Sequence, residues 1–531
     1  MESSALMDRR SFMLGSAAML TSLGIGLSSC NSDDVSDESE DASDSTTTTL
    51  SAVCAYASTQ INPIGLNGGS ALMVAATHHV FEGLYDLDLH TYDTYNALAA
   101  DDPVMISDTE YEITLRADAQ FSNGDTVMAD DVINAFERNM ADATSSVFLS
   151  FIDSVVAKDD TTITLTLRYP FESLLKSRLS LVKIFPASST DDELSCVPIG
   201  SGPWMYESID GNDGGVIRFI PNPYYRGSLP AGADAMEWNI LVDDEMRTSA
   251  FEEGSVQVME NVPETSAEDL MNKSATVEYL PGFNQAFLMF NTKKTPFDDV
   301  RVRQAILYAI DVDSLISDQM AGHAAKITSF LPKSHPNYHK ASTVYDYDSD
   351  RACELLSEAG VKNLNFTLII DDCWVGKLAD QIQDNLADVD ITMTSKVQAI
   401  NWDDYAEPED GEVLDYDVIL ASGDPSCFGN DPDLLMSWWY GDNVWMQGRS
   451  CWKDSEIWQE LQDLMQEARE ASDEDTQQKL WNQCFDLLSE NVVLYPLFHR
   501  ELATAYQSTM IDGFEPIATT GLTLLGASPA T

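Results

Sequence analysis

The sequence predicts an α/β protein, because strand-like and helix-like segments alternate along it and because its 531 residues exceed what one hydrophobic core can hold. Residues 287–311 show the alternation. They open with an apolar run of strand length, continue through a loop that contains Pro296, and end with apolar residues at helical spacing over 302–310, behind a cap at Asp298 or Asp299. Sheets covered by helices on both faces are therefore expected, in roughly two to four domains.

The charge of the chain is strongly acidic. There are 29 Lys and Arg against 88 Asp and Glu, which gives a formal net charge of −59. Recognition of nucleic acids needs a basic surface, so nucleic-acid partners are excluded. Docking on an anionic membrane surface is disfavoured for the same reason. The acidity itself indicates high solubility, as in salty or acidic surroundings.

The first 29 residues have the pattern of a secretion signal. Arg9 and Arg10 precede an apolar, small-residue segment over 12–27, and a small-residue cleavage site follows. The segment is too short and too interrupted by Ser and Gly to span a membrane. Its end, LSSC at 27–30, resembles the lipobox of lipoproteins, so lipid attachment at Cys30 is expected. The arginine pair also resembles a twin-arginine signal, which leaves general secretion and twin-arginine export both open.

A tether follows the signal. Residues 31–49 consist of Ser, Asp, Glu and Thr with a single Val, which cannot bury enough apolar surface to order the chain. Segment 30–49 is therefore predicted to be a disordered acidic tether, and the membrane is expected to be contacted through the lipid only. Seven cysteines remain after Cys30, without CxxC spacing, which argues against a disulfide framework and a zinc ribbon. One bridge, such as Cys427–Cys451, and buried free thiols both remain possible.

Catalytic residues, a metal site and a cofactor site are not predicted. His78 and His79 are adjacent, whereas His335 and His339 have helical spacing but enclose a proline and lack the glutamate of a zinc protease. The sequence contains no Gly-x-Ser-x-Gly elbow. Acidic pairs occur throughout so acidic a chain, and no carboxylate dyad stands out.

Several motifs resemble one known family. FNTKKTPFDDVRVRQAILYAID, at 290–311, closely resembles the signature of the family 5 solute-binding proteins of ABC importers, which include oligopeptide- and dipeptide-binding proteins. DVINAFER at 131–138, PIGSGPW at 198–204 and NPYYRG at 222–227 match further family motifs, with Ser201 in place of the usual Thr. These motifs stand in collinear order, and the resemblance covers roughly residues 50–510.

The resemblance implies a two-lobed periplasmic-binding-protein fold of type II, in its large three-domain variety, with mixed sheets and hinge strands. Lobe 1 would be discontinuous, over 50–83, 194–285 and 497–531. Residues 84–193 would form an extra α+β subdomain, and residues 286–496 would form lobe 2. The segment 290–311 would then pass from one lobe into the other, after which the first helix of the new lobe begins.

The function implied by the resemblance is transport rather than catalysis. The chain would capture short peptides between its lobes, as a monomer outside the cytoplasm, and deliver them to the permease and ATPase subunits of an ABC importer. It would be anchored to the cell membrane, in a periplasm or on the outer face. Three alternatives remain: the same fold binding a non-peptide solute, such as a nickel chelate, haem or a sugar; a secreted hydrolase; and a surface adhesin or chaperone without a ligand cleft.

The principal ligand-binding candidate is Asp424. A predicted strand ends near Gly423, Asp424 begins a turn, and Asp431 precedes Pro432 at the start of a helix. In the family, an aspartate at this strand end receives the α-ammonium group of the ligand, and Asp424 fits that place best. An altered spacer at 425–430 leaves Asp431 as an alternative. A purely structural role of both aspartates, in a turn and a cap, is also open.

Four further candidates complete the predicted site. Aromatic rings can form the walls of side-chain pockets, and the Gly-rich turn 68–70 lies where related proteins offer backbone groups to the ligand. The candidates are Trp402, Phe428, Trp438 and Ser70.

Overall fold

The computed structural model describes residues 48–405 and 414–531. The predicted secretion signal, the lipid attachment at Cys30 and the tether up to residue 47 lie outside the described residues. Within them, the strands are β1 (Thr49–Cys54), β2 (Tyr85–Leu87), β3 (Thr94–Asn96), β4 (Val104–Ser107), β5 (Glu110–Thr114), β6 (Ile152–Asp159), β7 (Thr162–Leu167), β8 (Trp204–Ile209), β9 (Val216–Pro221), β10 (Ala235–Ile240), β11 (Val258–Met259), β12 (Thr276–Phe290), β13 (Ala324–Lys326), β14 (Asn365–Asp371), β15 (Thr392–Gln398), β16 (Val418–Gly423), β17 (Leu494–Tyr506), β18 (Ile511–Asp512) and β19 (Ser528–Pro529).

Helices alternate with these strands, as the sequence predicts. They are α1 (Ala71–Val80), α2 (Ala129–Ala141), α3 (Ser146–Leu149), α4 (Leu175–Leu179), α5 (Asp191–Leu194), α6 (Asp244–Glu252), α7 (Ala267–Asn272), α8 (Val300–Ala309), α9 (Val312–Gln319), α10 (Ser349–Glu358), α11 (Ala379–Ala387), α12 (Pro432–Tyr440), α13 (Glu456–Glu470) and α14 (Glu474–Asn491). In the part of the chain that the structure describes, none of them is long and apolar enough to span a bilayer.

One large mixed sheet runs through the molecule. Its order is β15-β14-β16-β12-β17-β11-β1-β10-β9-β8, and β13 pairs with β17 as an additional strand. β14 pairs in parallel with β15 and β16, and β1 pairs in parallel with β10, whereas β12 is antiparallel to both of its neighbours. A second sheet, of order β4-β5-β7-β6, belongs to the region predicted as the α+β subdomain.

Two long strands connect the halves of the large sheet. β12 and β17 pair from Thr276↔Tyr506 to Met289↔Leu494, with an irregularity in register between Pro281 and Gln285. One end of this pair adjoins β11 and the other adjoins β16. Separate hydrophobic cores lie on the two sides, one built mainly from residues 283–498 and the other mainly from residues 50–258. The bounds predicted for the lobes stay a prediction.

The segment that predicted the fold class has the expected local structure. The apolar run is the end of β12, and α8 begins after Asp299, whose side chain accepts a hydrogen bond from the Arg301 N–H at 2.9 Å. Asp299 is therefore the cap, rather than Asp298. The seven cysteines of the described residues are all free, and Cys54, Cys427 and Cys484 are buried, so the Cys427–Cys451 bridge is not formed.

Candidate functional site

Asp424 stands where β16 ends, at the start of a 3₁₀ helix over Pro425–Phe428. One carboxylate oxygen accepts hydrogen bonds from the Ser426 N–H at 3.1 Å and from the Ser426 hydroxyl at 2.6 Å. The other accepts from the Thr520 N–H at 2.7 Å, the Thr520 hydroxyl at 2.9 Å and the Thr519 hydroxyl at 3.3 Å. We refer to Asp424, Ser426, Thr519 and Thr520 as the Asp424 site.

All of the protein groups that bind the Asp424 carboxylate are neutral. Among the ion pairs of the described residues, none includes Asp424. N–H and O–H donors orient a carboxylate but do not supply the opposite charge of a cation. Asp424 is therefore an oriented negative charge at the end of a strand.

Asp431 has a different environment. Its two carboxylate oxygens each lie 2.7 Å from the Arg178 guanidinium, which also donates to Asp433 at 2.8 Å. Arg469 donates to the other oxygen of Asp433 at 2.7 Å. We call these four residues the arginine clamp. The side chain of Arg178 is only 1% exposed, and the clamp joins helices α4 and α12 across 253 positions of the chain.

The clamp commits Asp431 to a structural role. Burial raises the pKa of the Asp431 carboxyl, but the charge and hydrogen bonds of Arg178 outweigh burial and leave that pKa lowered. Asp431 also caps α12 by accepting from the Leu434 N–H at 2.9 Å. Because its charge is already paired with the Arg178 guanidinium, Asp431 offers a ligand ammonium less than Asp424 does.

Two of the aromatic candidates lie beside the Asp424 site. Trp438 stacks on Phe428 with ring centroids 5.3 Å apart, and on Phe148 with centroids 6.1 Å apart. Phe428 belongs to the 3₁₀ helix that Asp424 caps. A Cβ atom at Gly69 would lie 3.3 Å from the Trp438 ring, so the glycine lets the turn approach the ring closely.

The other two candidates have local partners. Ser70 is the N-cap of α1, where its hydroxyl accepts from the Met73 N–H at 3.4 Å. Trp402 packs against Trp445, with ring centroids 4.9 Å apart, and under the Arg449 guanidinium at 4.7 Å. Ring contacts by way of Trp445 and Trp439 connect Trp402 to Trp438. The ligand roles of Ser70 and Trp402 stay predictions.

A second charged group lies where β17 passes between the two cores. The Arg500 side chain is 3% exposed, and its guanidinium lies 5.0 Å from the Trp374 ring and donates to Glu264 at 3.1 Å. Glu264 also accepts from Lys377 at 2.8 Å. Burial raises the pKa of Glu264, but Arg500 and Lys377 outweigh it, so the pKa is lowered. Within the described residues, Nε and Nη1 of Arg500 have no hydrogen-bond partner.

Sequence reasoning missed the contribution of the C-terminal region. Thr519 and Thr520 lie in an irregular segment between β18 and β19, where no local pattern indicates a site. It also missed Asn67, which a turn buries against Thr77. Among the described residues, no cluster of three or more His, Cys, Asp or Glu is arranged to hold a metal ion.

Comparison with known proteins gives a family match over most of the chain. The sequence profile described as "Bacterial extracellular solute-binding proteins, family 5 Middle" matches residues 93–447. The glutathione-binding protein GsiB of Pectobacterium atrosepticum is 28% identical over 313 residues, which are 57% of this chain and 60% of that protein. The match thus spans about three fifths of this relative's length.

Solved structures have the same fold. The dipeptide-binding protein of a Pseudoalteromonas species, in complex with Met-Leu, matches with a TM-score of 0.77 at 19% identity, covering 91% of this chain and 100% of that one. NikZ from Campylobacter jejuni, in complex with Ni(L-His), matches with a TM-score of 0.74 at 20% identity, covering 89% of this chain and 96% of that one. The predicted two-lobed periplasmic-binding-protein fold is therefore confirmed.

Proposed function

This chain belongs to family 5 of the bacterial extracellular solute-binding proteins, and we propose that it captures short peptides for an ABC importer. The observation that carries the proposal is the Asp424 carboxylate, which is oriented by five neutral hydrogen bonds and has no cationic partner among the described residues. In neutral solution, the free N-terminus of a peptide is mainly in its ammonium form. That group is the cation that Asp424 lacks.

The energetics favour this pairing. An ammonium group loses its water when protein surrounds it, and an unpaired buried charge is costly. A carboxylate about 4 Å away returns roughly 4 kcal/mol at an effective dielectric constant of 20. The Asp424 site draws its donors from the strand end at 424–426 and from the C-terminal segment at 519–520, which the family resemblance assigns to different lobes. Closure of the lobes would therefore complete the site around the ligand.

The other end of a peptide carries a carboxylate, and Arg500 is its proposed partner. Nε and Nη1 of Arg500 are buried donors without an acceptor in the described residues, and such groups are costly unless something binds them. Trp374 lies against the guanidinium and could contact an adjoining side chain. Peptide amides between the two ends could form hydrogen bonds with exposed strand edges. Such bonds would recognise the peptide backbone without selecting for its sequence.

Delivery of a captured solute requires partner proteins and a suitable location of the binding protein. The family resemblance supports a permease and ATPase subunits of an importer as partners, and a monomer as the binding unit. The proposed location is extracytoplasmic, at the cell membrane. A lipid on Cys30 would anchor the protein, and the tether 30–49 would separate the lipid from the binding domain. Ser70, Phe428, Trp402 and Trp438 are proposed ligand contacts together with Asp424.

The proposal is tested by capture from a defined mixture. Purified protein, unfolded and refolded to release bound molecules, is incubated with a library of dipeptides to pentapeptides and separated by gel filtration. Mass spectrometry of the protein fraction should detect intact peptides with free N-termini. Capture of N-acetylated peptides to the same extent would contradict a role for Asp424. Recovery of shortened peptides would indicate a hydrolase, and selective binding of Ni(L-His) from a second mixture would indicate a non-peptide solute.

A further inference from the structure

The turn that precedes α1 has a left-handed backbone conformation. Gly65, Leu66, Asn67, Gly68 and Gly69 have φ angles of 67°, 54°, 51°, 62° and 75°, so five successive residues are left-handed. This conformation costs roughly 1–2 kcal/mol for each residue other than glycine, and it persists only where the surrounding structure holds it. Backbone strain of this kind collects at ligand-binding sites. We call residues 65–69 the left-handed turn.

The left-handed turn buries the side chain of Asn67. That side chain is 4% exposed, and its amide N–H donates to the Thr77 hydroxyl at 3.0 Å. The amide oxygen, in contrast, has no partner among the described residues. A buried acceptor without a donor is destabilising by roughly 1–3 kcal/mol, which indicates that the position is kept for a purpose other than stability.

Asn67 lines a cavity of about 30 Å³. Leu66 and Val74 contribute apolar walls, Thr77 and His78 contribute polar groups from α1, and Cys427 and Phe428 close the opposite side. A space of this size accommodates a group of one or two heavy atoms beyond a methylene and is too small for an aromatic ring. Because Cys427 and Phe428 belong to the 3₁₀ helix that Asp424 caps, the cavity adjoins the Asp424 site.

Within the described residues, the Asn67 amide oxygen is a neutral acceptor of this cavity that lacks a donor, and the groups around it supply no net charge. Burial, and secondarily the charge of Lys183, hold the pKa of His78 well below its ordinary value, so the ring is neutral. A backbone hydrogen bond at Cys427 opposes this shift without outweighing it. Lys183 lies in the cavity wall, but Asp86 neutralises it at 2.5 Å. The Asn67 amide oxygen thus requires a donor, and a second cation beside Lys183 would be disfavoured.

We propose that this cavity is a specificity pocket for a small side chain that carries a neutral hydrogen-bond donor, such as a hydroxyl, on the ligand residue next to Asp424. The proposal rests on the proposed function, since it assumes a ligand whose ammonium group lies at Asp424. It adds a substrate class: peptides that begin with serine or a residue of similar size and chemistry, rather than with a bulky apolar residue.

The test is a series of tripeptides that differ only in the first residue. Isothermal titration calorimetry compares Ser-Ala-Ala, Ala-Ala-Ala and Leu-Ala-Ala on the wild-type protein and on Asn67→Gly, which keeps the positive φ and removes the acceptor. For the wild type, we expect Ser-Ala-Ala to bind about fivefold more tightly than Ala-Ala-Ala, as one additional hydrogen bond supplies. Asn67→Gly should lose that advantage and retain its affinity for Ala-Ala-Ala. Asn212→Gly, at an exposed turn, is the matched control and should bind as the wild type does.

A second variant keeps the test decisive if Asn67→Gly folds poorly. Asn67→Asp retains the shape and the tolerance of positive φ, and it replaces a neutral acceptor by an anion. A tripeptide that begins with 2,3-diaminopropionic acid should then gain about tenfold in affinity over its affinity for the wild type. Equal affinity of Ser-Ala-Ala and Ala-Ala-Ala for the wild type, tightest binding of Leu-Ala-Ala, or an unchanged ranking in both variants would overturn the pocket. Failure of every tripeptide to bind the wild type would instead overturn the peptide function.

Discussion

Asp424 and Asp431 have nearly the same local sequence and opposite surroundings. Each precedes a proline and caps the helix that follows, through hydrogen bonds to the backbone N–H groups of Ser426 and Leu434. Asp431 is held by the Arg178 guanidinium at 2.7 Å, whereas the hydrogen bonds that the described part of the chain makes to the Asp424 carboxylate come from neutral donors. The comparison teaches that the cap chemistry fixes where a carboxylate points, and that distant residues decide whether its charge is cancelled.

The difference has a direct energetic meaning. In the arginine clamp, the carboxylates and guanidinium groups have lost hydration and form ion pairs in its place. Removing one partner leaves the others uncompensated, so the clamp is stable only while it is complete. The Asp424 carboxylate has exchanged water for hydroxyl and amide donors and still carries its charge. Disrupting the clamp should therefore lower mainly the free energy of unfolding, and replacing Asp424 should lower mainly the affinity for the ligand.

The largest effect is expected from Arg178→Met. The substitution leaves Asp431 and Asp433 buried with less positive charge than they need, and the cost of such a change is about 3–5 kcal/mol in the free energy of unfolding. Urea denaturation followed by circular dichroism measures it. The matched control is Arg218→Met, which removes a pair with Glu237 whose side chains are 49% and 32% exposed. That control should change stability by less than about 1 kcal/mol.

Asp424→Asn should have the opposite profile. The amide keeps an acceptor for Ser426 or Thr520 but loses the charge, so we expect peptide affinity to fall by about 2–5 kcal/mol and stability to change by less than about 1 kcal/mol. Calorimetry with tri-alanine and urea denaturation measure the two quantities. Asp431→Asn is the companion variant, and there stability should fall more than affinity. Unchanged affinity of Asp424→Asn would remove Asp424 from the ligand site.

A smaller effect is expected in the pH dependence of the clamp. Arg178 lowers the pKa of Asp431 against the opposing effect of burial, so the folded state binds the Asp431 proton more weakly than the unfolded state does. The stabilisation is present above the ordinary aspartate pKa of about 4 and is lost as the pH falls through the lowered value. The free energy of unfolding of the wild type should exceed that of Asp431→Asn at pH 7. The gap should narrow below about pH 4, and a gap that widens there would contradict the assignment.

Local patterns predicted much of the fold. The apolar run at the end of β12, a cap at Asp298 or Asp299 and the alternation of strands with helices follow from spacing and side-chain chemistry alone, since each involves near neighbours in sequence. The end of β16 at Gly423, a turn at Asp424 and the cap at Asp431 were predictable for the same reason. The specific architecture came from family motifs rather than from periodicity.

Long-range contacts set the limits of that prediction. Arg178 lies 253 positions before Asp431, and Thr520 lies 96 positions after Asp424, so no spacing rule connects either pair. Local sequence alone therefore does not separate the two aspartates, and the preference for Asp424 came from the family resemblance. The left-handed turn has the same limit, because glycine predicts a turn at 65–69 but not that Leu66 and Asn67 are held at positive φ by the surrounding packing.

The most direct test of a ligand ammonium at Asp424 is a cycle of four affinities. Tri-alanine and N-acetyl-tri-alanine are titrated into the wild-type protein and into Asp424→Asn by calorimetry. Acetylation removes the positive charge of the ligand's N-terminus. It should therefore weaken binding to the wild type about a hundredfold and binding to Asp424→Asn by less than about threefold. An equal loss in both proteins would mean that the ammonium group and Asp424 do not interact, and the proposed site would be wrong.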